Sequence, residues 1–336
     1  MLLPARLFLV ARVSLMKRII VTGSCGQIGS ELVRELCLRY GSENVVATDI
    51  KKPADTHCEF VSLDVTDRPS VFRTFSDTAA TVVFHLAGVL SARGEEQPEL
   101  AFNVNLIGTK NVLDAAMHSG VERFILPSTI GVFGPTTPKN NVPVDTVTRP
   151  STIYGITKLF CEELCECYSR RGLIDARGMR FPGIISYKTA PGGGTTDYAI
   201  EMIRAAVSSR NYECFLKNDT RLPMMYMPDA IESLVNIAEA PASGLTHRTD
   251  FNVAAFDFTP AELEKELQKH FPDFTTKYSP DGRQKIADSW PASVDSTCAV
   301  REWGFNPKFD MPGMVSDMIV NLQFRSKKGD RNLHLN

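Results

Sequence analysis

The sequence has no hydrophobic run long enough to cross a membrane and no excess of charge of either sign. A transmembrane helix needs roughly 20 consecutive apolar residues, but Arg6, Arg12, Lys17 and Arg18 interrupt the apolar N-terminus. Lysine and arginine total 37 against 39 acidic residues, a formal net charge of −2. A nearly neutral chain lacks the electrostatic footprint of nucleic-acid-binding proteins. The composition therefore predicts neither a membrane nor a nucleic acid as partner.

The cysteines lack the spacing of a metal site or a redox pair. They lie at positions 25, 37, 58, 161, 165, 167, 214 and 298, with no Cys-x-x-Cys pair and no flanking histidine at metal-ligand spacing. We therefore expect reduced structural thiols and no metal in the functional site.

The two ends of the chain differ in composition from the rest. Residues 1–15 contain two arginines and no acid, and the first acidic residue is Glu31. This composition is typical of an organelle-targeting segment, mitochondrial more than secretory. The alternative is a translated leader upstream of a start at Met16, which would leave the protein in the cytoplasm. Residues 326–336 lack apolar periodicity and are predicted to form a flexible tail.

From Lys17 onward, short apolar segments alternate with amphipathic ones. The predicted strands are residues 18–23, 44–49, 59–65, 81–88, 123–129 and 176–183, and the predicted helices are residues 27–40, 69–77, 98–119 and 152–171. This alternation predicts an α/β fold with a doubly wound parallel sheet. After Pro182 the pattern loosens, although Thr259, Pro260 and Glu262 predict a capped helix start.

A glycine-rich turn joins the first predicted strand to the first helix. Gly23, Gly26 and Gly29 would allow a tight turn and close approach to a pyrophosphate, and the helix N-terminus would supply N–H donors. Asp49 follows about 20 residues later, where it would bind the adenosine ribose and repel the 2′-phosphate of NADP. NAD is therefore the predicted cofactor, although Lys51 and Lys52 argue weakly for NADP. The turn also contains Cys25, Gln27 and Ile28 as candidate cofactor contacts.

The ends of the next two strands add further cofactor candidates. Asp64 follows the third strand with Val65 and would lie near the adenine, or else cap a helix. Leu86, Ala87 and Gly88 end the fourth strand, where small residues let a ribose approach the backbone. We assign residues 16–182 to an NAD-binding domain of Rossmann type. Residues 183–325 form a smaller C-terminal substrate-binding lobe with segments that return to the main domain.

Tyr154 and Lys158 are the candidate catalytic pair. Their i,i+4 spacing on a predicted helix places both side chains on one face. A free tyrosine has a pKa of about 10, which a nearby ammonium would lower toward the range of a useful base. The spacing alone is common on solvated helix faces. Its position after a dinucleotide-binding half favours the catalytic interpretation.

Hydroxyl and amide side chains complete the predicted catalytic group. Ser128 and Thr129 end the fifth strand at the sheet edge where ligands bind. Thr129 is the preferred donor to the reacting oxygen, although either hydroxyl would also serve to end the strand. Asn105 would order a water beside Lys158 or make a buried hydrogen bond between helix and sheet.

These motifs together resemble the extended short-chain dehydrogenase/reductase family over about residues 17–320. The resemblance is carried by the glycine run 23–29, Asp49, HLAG at 85–88, NVNLIGTKN at 103–111, STIGVFG at 128–134, the Tyr154/Lys158 pair and RFPGI at 180–184. Within that family, PSTIGVFGP, PGGGTTDYA at 191–199, PMMYMPDA at 223–230 and ADSWPAS at 287–293 look like the metal-independent L-threonine 3-dehydrogenases. Pro127 and Phe133 depart from the broader family pattern, which leaves the hydroxyl donor open.

The resemblance implies oxidation of the C3 hydroxyl of L-threonine by NAD to 2-amino-3-oxobutyrate. Tyr154 would take the hydroxyl proton, Thr129 would hold the oxygen, and Lys158 would lower the tyrosine pKa and bind the nicotinamide ribose. The expected nicotinamide contacts are Pro182 and Ile184, and the expected substrate contacts are Ser91, Thr129, Tyr154, Thr195 and Thr196.

Two other functions would use many of the same residues. A nucleotide-sugar epimerase or dehydratase begins with the same alcohol oxidation, but its substrate needs cations for the diphosphate, and residues 186–226 carry few basic side chains. A non-enzymatic NAD-sensing module would be expected to lose the Tyr154/Lys158 pair, which this chain retains.

The sequence also predicts a homodimer and a mobile loop. Helices 98–119 and 152–171 are apolar on more than one face, so the surplus face should pack against a second subunit. The segment from Gly192 to Thr196 is expected to close over the substrate as a lid, since successive glycines are costly to hold rigid. An ordinary surface turn with a threonine capping the next helix is the alternative.

Overall fold

The computed structural model describes residues 16–53, 55–189 and 192–327. The predicted targeting segment at 1–15 lies outside the described residues, as do residues 328–336 of the predicted tail. The last helix continues through Ser326 to Lys327, two residues into the predicted tail. Its buried residues Met314, Met318 and Leu322 repeat at helical spacing and hold it against the protein. No helix in the described ranges is both long and apolar enough to span a bilayer.

The first six strands follow the predicted order along the chain, and six further short strands lie beyond Pro182 in the described part of the chain. They are β1 (Ile19–Thr22), β2 (Val45–Asp49), β3 (Glu59–Ser62), β4 (Val82–His85), β5 (Arg123–Thr129), β6 (Asp175–Phe181), β7 (Gly183–Ile185), β8 (Tyr212–Cys214), β9 (Leu222–Tyr226), β10 (Phe251–Asn252), β11 (Phe256–Phe258) and β12 (Thr276–Tyr278). In the described residues, seven of them form one parallel sheet in the order β10-β6-β5-β4-β1-β2-β3. This order changes direction between β1 and β4, which is the point where doubly wound sheets bind ligands.

The helices confirm the predicted alternation. They are α1 (Gln27–Tyr40), α2 (Arg68–Thr78), α3 (Ser91–Glu96), α4 (Pro98–Ala101), α5 (Thr109–His118), α6 (Ile153–Arg170), α7 (Tyr198–Val207), α8 (Met227–Glu239), α9 (Pro260–Gln268), α10 (Gly282–Ser289), α11 (Thr297–Trp303) and α12 (Met311–Lys327). Short 3₁₀ turns occur at Ser42–Asn44, Ile130–Val132 and Ala242–Gly244. Thr259 and Glu262 form the predicted capping box at the start of α9.

One predicted helix has an irregular centre. The segment predicted as helix 98–119 is α4 and α5 joined by a π-helical stretch, Phe102–Gly108. Single π turns widen a helix locally and occur often at functional sites. Asn105 lies in this stretch, so the sequence-based helix was correct in place but not in its internal geometry.

Three hydrophobic clusters hold the layers together. One lies between the sheet and α1 and α8, and a second lies on the other face of the sheet under α2, α5 and α6. The third is formed by the C-terminal half around Tyr198, Tyr226 and Phe258. Because α8 and β10 come from beyond residue 183, the C-terminal half supplies both a helix and an edge strand to the main sheet. Its own small sheet, β11-β9-β7, lies at the carboxyl end of β6.

Candidate active site

A cavity of about 250 Å³ opens at the carboxyl ends of the central strands. The sequence-predicted residues that line it are Gly23, Gly26, Gln27, Ile28, Gly29, Leu86, Ala87, Gly88, Ser91, Ser128, Thr129, Tyr154, Lys158, Pro182, Ile184, Thr195 and Thr196. The candidates Cys25, Asp49, Asp64, Val65 and Asn105 are outside this lining. The lining also includes residues that had no predicted role, among them His85, Asp197 and Trp290. His85 and Trp290 lay within motifs already noted, HLAG and ADSWPAS.

The glycine turn leaves backbone groups open at one end of the cavity. Gly23 has φ +66°, and a Cβ there would lie 2.6 Å from the nitrogen of Ala87. A Cβ on Gly29 would collide with the carbonyl of Gly23. No side chain caps the start of α1 after Gly26, so its first N–H groups are available to an anion. The residues present therefore fit the pyrophosphate of a dinucleotide.

Asp49 lies against this turn at the end of β2. Its carboxylate accepts hydrogen bonds from the backbone N–H of Cys25 at 3.0 Å and of Lys51 at 3.1 Å. The thiol of Cys25 donates to the carbonyl of Lys51. The acid therefore stabilises the turn and leaves a negative charge beside it, where a ribose of the cofactor would lie.

Asp64 and Val65 have local structural contacts that the sequence did not resolve. The Asp64 carboxylate accepts from the backbone and the hydroxyl of Thr66, and Asp67 is the residue that caps α2. Val65 is buried and packs closely on Gly108 of the π-helical stretch. Because Asp64 binds its own turn and Val65 points into the protein, neither side chain lies at the cavity described above.

The first turn of α6 positions Tyr154 and Lys158. Thr152 caps this helix by accepting a hydrogen bond from the N–H of Gly155 at 3.0 Å. A Cβ on Gly155 would collide with the carbonyl of Gly131, so the absence of a side chain allows α6 to approach the turn after β5. Tyr154 and Lys158 then both face the cavity, as their i,i+4 spacing predicts.

The pKa of Tyr154 shifts in the opposite direction to that expected from a neighbouring lysine. Burial raises the pKa of Tyr154 to about 12, and a hydrogen bond with Thr129 offsets part of this rise. Burial also lowers the pKa of Lys158, while the nearby Cys161 and Glu162 raise it. The expected lowering of the tyrosine pKa by Lys158 is thus absent in the protein alone, because desolvation of the phenolate is the larger effect.

Thr129 and Ser128 lie on opposite sides of β5. The Thr129 hydroxyl contacts Tyr154 and accepts from the N–H of Gly131 at 3.1 Å. Ser128 lies beside the carboxylate of Glu162, which forms a buried ion pair with Arg180 at 2.9 Å. Side chains alternate along a strand, so Thr129 is the residue of this pair whose hydroxyl contacts the phenol, although Ser128 also lines the cavity.

Asn105 makes the buried hydrogen bonds that were one of its two expected roles. Its side-chain oxygen accepts from Val89 N at 2.7 Å, and its amide donates to Val89 O and to the hydroxyl of Thr157 at 3.0 Å. These contacts engage both ends of the amide, which connects the loop after β4 to α6. Asn105 therefore helps to position the helix that carries Tyr154.

The opposite end of the cavity is formed by the glycine segment and the start of α3. The hydroxyls of Ser91 and Thr195 lie 3.5 Å apart. The carboxylate of Asp197 accepts from the N–H groups of Gly193 at 2.8 Å and Gly194 at 2.7 Å, which closes the segment into a turn. Helix α7 begins at Tyr198 without a side-chain cap, so the alternative of a threonine cap is not seen.

His85 lies beneath the cavity and bridges three elements. Its Nδ1 lies 2.7 Å from the Thr22 hydroxyl and its Nε2 lies 3.0 Å from the Thr109 hydroxyl. Burial, with a smaller effect of the Lys158 charge, lowers the pKa of His85 to about 3. The ring is therefore neutral at physiological pH and acts as a hydrogen-bonding link between β1, β4 and α5.

A separate group of possible metal ligands lies outside the cavity. His247, Cys298 and Glu302 offer ligand atoms within 4.8 Å of one another. The histidine Nδ1 lies 3.2 Å from the Glu302 carboxylate, which also accepts from the N–H and hydroxyl of Thr246. These hydrogen bonds account for the cluster as a link between α11 and the segment before β10.

Comparisons with known proteins agree with this geometry. A model of the NAD dependent epimerase/dehydratase family matches residues 19–254. An uncharacterized epimerase/dehydratase of Staphylococcus haemolyticus is 42% identical over 313 residues, which cover 92% of this chain and 98% of the relative.

Solved structures of threonine dehydrogenases share both sequence and fold with the chain. A GalE-like L-threonine dehydrogenase from Cupriavidus necator, in its holo form, is 43% identical with a TM-score of 0.89, covering 91% of this chain and 99% of its own. A monomeric L-threonine 3-dehydrogenase from a metagenome is 45% identical, with TM-score 0.89 and coverages of 91% and 99%. An L-threonine dehydrogenase from Phytophthora infestans is 44% identical, with TM-score 0.89 and coverages of 92% and 99%.

Proposed function

Since the chain belongs to the NAD dependent epimerase/dehydratase family, we propose that it is an NAD-dependent L-threonine 3-dehydrogenase. The reaction takes L-threonine and NAD⁺ to 2-amino-3-oxobutyrate, NADH and a proton. The observation that carries the proposal is that one cavity is lined by both the glycine turn and the catalytic residues Tyr154 and Thr129. The similarity to threonine dehydrogenases of 43–45% identity supports it.

Thr129 and Tyr154 have different roles in the proposed reaction. The Thr129 hydroxyl holds the substrate oxygen, and the Tyr154 oxygen accepts the proton of the C3 hydroxyl. Bound NAD supplies the acceptor for the hydride that leaves C3. Burial holds the pKa of Tyr154 at about 12 in the protein alone, so the phenolate must be stabilised in the complex for the proton to be accepted, and the Lys158 ammonium on the same face of α6 would supply the positive charge for this. Asn105 keeps α6 in register with the loop after β4.

A nucleotide-sugar epimerase or dehydratase is the second candidate function. Such an enzyme must bind a diphosphate, which Lys and Arg side chains recognise through charge-assisted hydrogen bonds. Lys158 is the single Lys or Arg among the described residues that line the cavity, and it is required at the reacting centre. This shortage of cations favours a small zwitterionic substrate over a sugar diphosphate.

Incubation of the purified protein with NAD⁺ tests these two functions directly. We expect L-threonine to produce NADH, followed by its absorbance, whereas UDP-glucose and UDP-galactose should be neither oxidised nor interconverted. Conversion of a UDP-sugar without oxidation of L-threonine would identify the epimerase instead. The aminoketone product should be detected with a carbonyl reagent in equal amount to NADH.

We propose further that the protein is a homodimer. Ile107 on the π-helical stretch and Ile156 and Phe160 on α6 are 50%, 45% and 42% exposed, and these two elements pack against each other. A second copy would bury them by packing its own two helices against these. Light scattering at micromolar concentration should give twice the mass of 37.2 kDa. A monomer mass would contradict the proposal. Such an outcome has a precedent, because the similar L-threonine 3-dehydrogenase from a metagenome is monomeric.

The cellular location is proposed from residues 1–15 alone. We propose that this acid-free, arginine-containing segment directs the protein to mitochondria. The curated relative reported above is bacterial and gives this location no support. Fusion of residues 1–15 to a fluorescent protein should produce mitochondrial fluorescence, and the fusion with Arg6 and Arg12 changed to glutamine should not.

A further inference from the structure

Trp290 contributes a buried hydrogen-bond donor to the cavity. It follows α10, is 6% exposed and lines the same cavity as Tyr154. Within the described part of the chain, its indole N–H has no hydrogen-bond partner. Buried polar groups nearly always have partners, and an indole nitrogen can only donate. Trp290 therefore places an unsatisfied donor in the wall of the cavity.

The backbone around Trp290 is fixed before any ligand binds. The ammonium of Lys139 donates to the carbonyl of Trp290 at 2.9 Å, and the N–H of Ala292 donates to the carbonyl of Lys139 at 2.7 Å. The N–H of Trp290 itself donates to Ala287. Because these bonds hold the backbone, only the side-chain torsions of Trp290 would lose freedom when its indole N–H binds a ligand.

The charges around the cavity leave the substrate carboxylate without a free cation. Lys158 is needed beside Tyr154, and the carboxylate of Asp197 would repel a second carboxylate. Ser91 and Thr195 already lie near one another on the same wall. Neutral donors must therefore replace the water that a carboxylate loses on entering the cavity.

We propose that the indole N–H of Trp290 donates a hydrogen bond to the carboxylate of the amino-acid substrate. This makes Trp290 a specificity-determining residue that distinguishes an α-amino acid from a plain amino alcohol. The inference rests on the proposed dehydrogenase function, since it assigns one part of that substrate to one side chain.

The second tryptophan provides a matched control within the same chain. The indole N–H of Trp303 is also buried without a partner in the described residues. Trp303 is 8% exposed and packs on Phe251 and Phe305, outside the lining of the cavity. The two tryptophans thus share burial and an unpaired donor, and they differ in access to the cavity.

The kinetic test compares L-threonine with 1-amino-2-propanol, which retains the amine and the secondary alcohol but lacks the carboxylate. Trp290→Phe keeps the ring and removes the N–H. We expect it to lower kcat/KM for L-threonine at least tenfold, mainly through KM, while the value for 1-amino-2-propanol changes less than twofold. A hydrogen bond to a charged group is typically worth about 1.5–3 kcal/mol, which corresponds to a tenfold or larger effect. Trp303→Phe should change neither substrate.

Fluorescence provides a second measurement that does not depend on turnover. Because the chain contains two tryptophans, the Trp303→Phe enzyme has Trp290 as its only one. With NADH bound, L-threonine should shift its emission and 1-amino-2-propanol should not.

The outcomes separate the two proposals. If the wild-type enzyme fails to oxidise L-threonine, the proposed function is wrong. If it oxidises L-threonine and Trp290→Phe keeps the wild-type KM, or loses both substrates equally while its melting temperature and NAD affinity are normal, the assignment of Trp290 is wrong. If the fluorescence emission of Trp290 does not shift when L-threonine is added, the assignment of Trp290 is also wrong.

Discussion

The two ends of the cavity are built in different ways. The cofactor end is formed by backbone groups of a continuous segment, Gly23 to Gly29, with Asp49 hydrogen-bonded to it. The substrate end is formed by side chains from distant segments, including Ser91, Thr195 and Trp290. A site formed by backbone groups depends mainly on the conformation of one short segment. It requires few side chains from other parts of the chain. A side-chain site depends on the whole fold to bring its members together.

This difference predicts how each end should respond to substitution. Changes at the substrate end should alter turnover and KM for the substrate without altering NAD affinity. Changes at the cofactor end should alter NAD affinity or the choice between NAD and NADP. Tyr154 lies where the two ends meet, so its loss should affect the chemical step alone.

The largest expected effect follows from Tyr154→Phe. The ring packs equally well but has no oxygen to accept the proton, so kcat should fall at least about 100-fold, as removal of a general base typically does. The affinity for NAD, measured by isothermal titration, should remain within about twofold of wild type. As a control, Tyr168→Phe removes a hydroxyl group from the same helix. That hydroxyl donates to Asp114 and does not line the cavity, so this variant should retain activity. A Tyr154→Phe enzyme with more than a hundredth of the wild-type kcat would remove Tyr154 from the reaction.

The next effect concerns acid stability beneath the cavity. The pKa of His85 is about 3 in the folded protein, against 6.5 for the free side chain. Between these values the unfolded chain binds the proton and the folded one does not, so the free energy of unfolding falls as pH falls. The slope contributed by this residue approaches about 1.4 kcal/mol per pH unit.

Urea unfolding between pH 7 and pH 5 measures this contribution. We expect His85→Gln to be less stable at pH 7, because its hydrogen bonds to Thr22 and Thr109 are imperfect. Its stability should nevertheless depend less steeply on pH than that of wild type. His270→Gln, a change outside both the cavity and this cluster, should keep the wild-type slope. Equal slopes in wild type and His85→Gln would show that His85 is not a neutral buried ring.

A smaller effect is expected at the cofactor end from Asp49→Asn. The amide keeps an oxygen that can accept from the N–H of Cys25, but it removes the negative charge that repels the 2′-phosphate of NADP. The ratio of kcat/KM for NAD to that for NADP should fall about tenfold, equivalent to about 1.4 kcal/mol. Asp64→Asn, which affects a carboxylate bound to Thr66, is the matched control. If both variants keep the wild-type ratio, Asp49 does not face the ribose.

The smallest effect is expected in the glycine segment at the substrate end. Gly193 has φ +86° and open space around its Cβ position, so Gly193→Ala introduces backbone strain of about 1 kcal/mol without a collision. If the segment closes over the substrate, kcat and KM for L-threonine should change two- to fivefold while NAD affinity stays constant. Gly172 lies outside the cavity lining and also has a positive φ, +66°. Gly172→Ala should therefore introduce similar backbone strain but leave kcat and KM for L-threonine unchanged.

Hydrogen exchange provides a direct measure of the same closure. The segment from Gly192 to Thr196 should become protected when NADH and L-threonine are both present. Equal exchange with and without ligands would mean that the turn held by Asp197 is permanent.

The local patterns of the sequence predicted the fold and the cofactor end well. Apolar runs predicted six of the seven described strands of the main sheet to within a few residues, and β5 matches its predicted range of 123–129, whereas the edge strand β10 was not predicted. The predicted helix 27–40 is α1. The predictions were less complete where distant contacts decide the geometry, as in the π-helical stretch around Asn105 and the extension of α12 through Lys327. Hydrophobic periodicity shows neither a π-helical turn nor the residue at which a helix ends.

The substrate end was predicted only in part for the same reason. Ser91, Thr195 and Thr196 were expected from resemblance, and they line the cavity. Trp290 lies in the ADSWPAS motif, and the sequence alone indicated no role for it. Its neighbours along the chain do not indicate that it lines a cavity. The direction of the Tyr154 pKa shift also could not be predicted, since it depends on how completely the fold removes water from the phenol.

The sequence by itself determined the alternation of strands and helices, the glycine turn with its acid at Asp49, and the spacing of Tyr154 and Lys158. Each of these depends on residues close together in the chain or on a repeating pattern, which the backbone converts directly into local geometry. The tertiary structure alone decided that Thr129 rather than Ser128 faces the phenol, that Asn105 positions α6, and that Trp290 reaches the cavity. These outcomes depend on packing between segments that lie far apart in the chain, where burial and the exclusion of water determine what each polar group contacts.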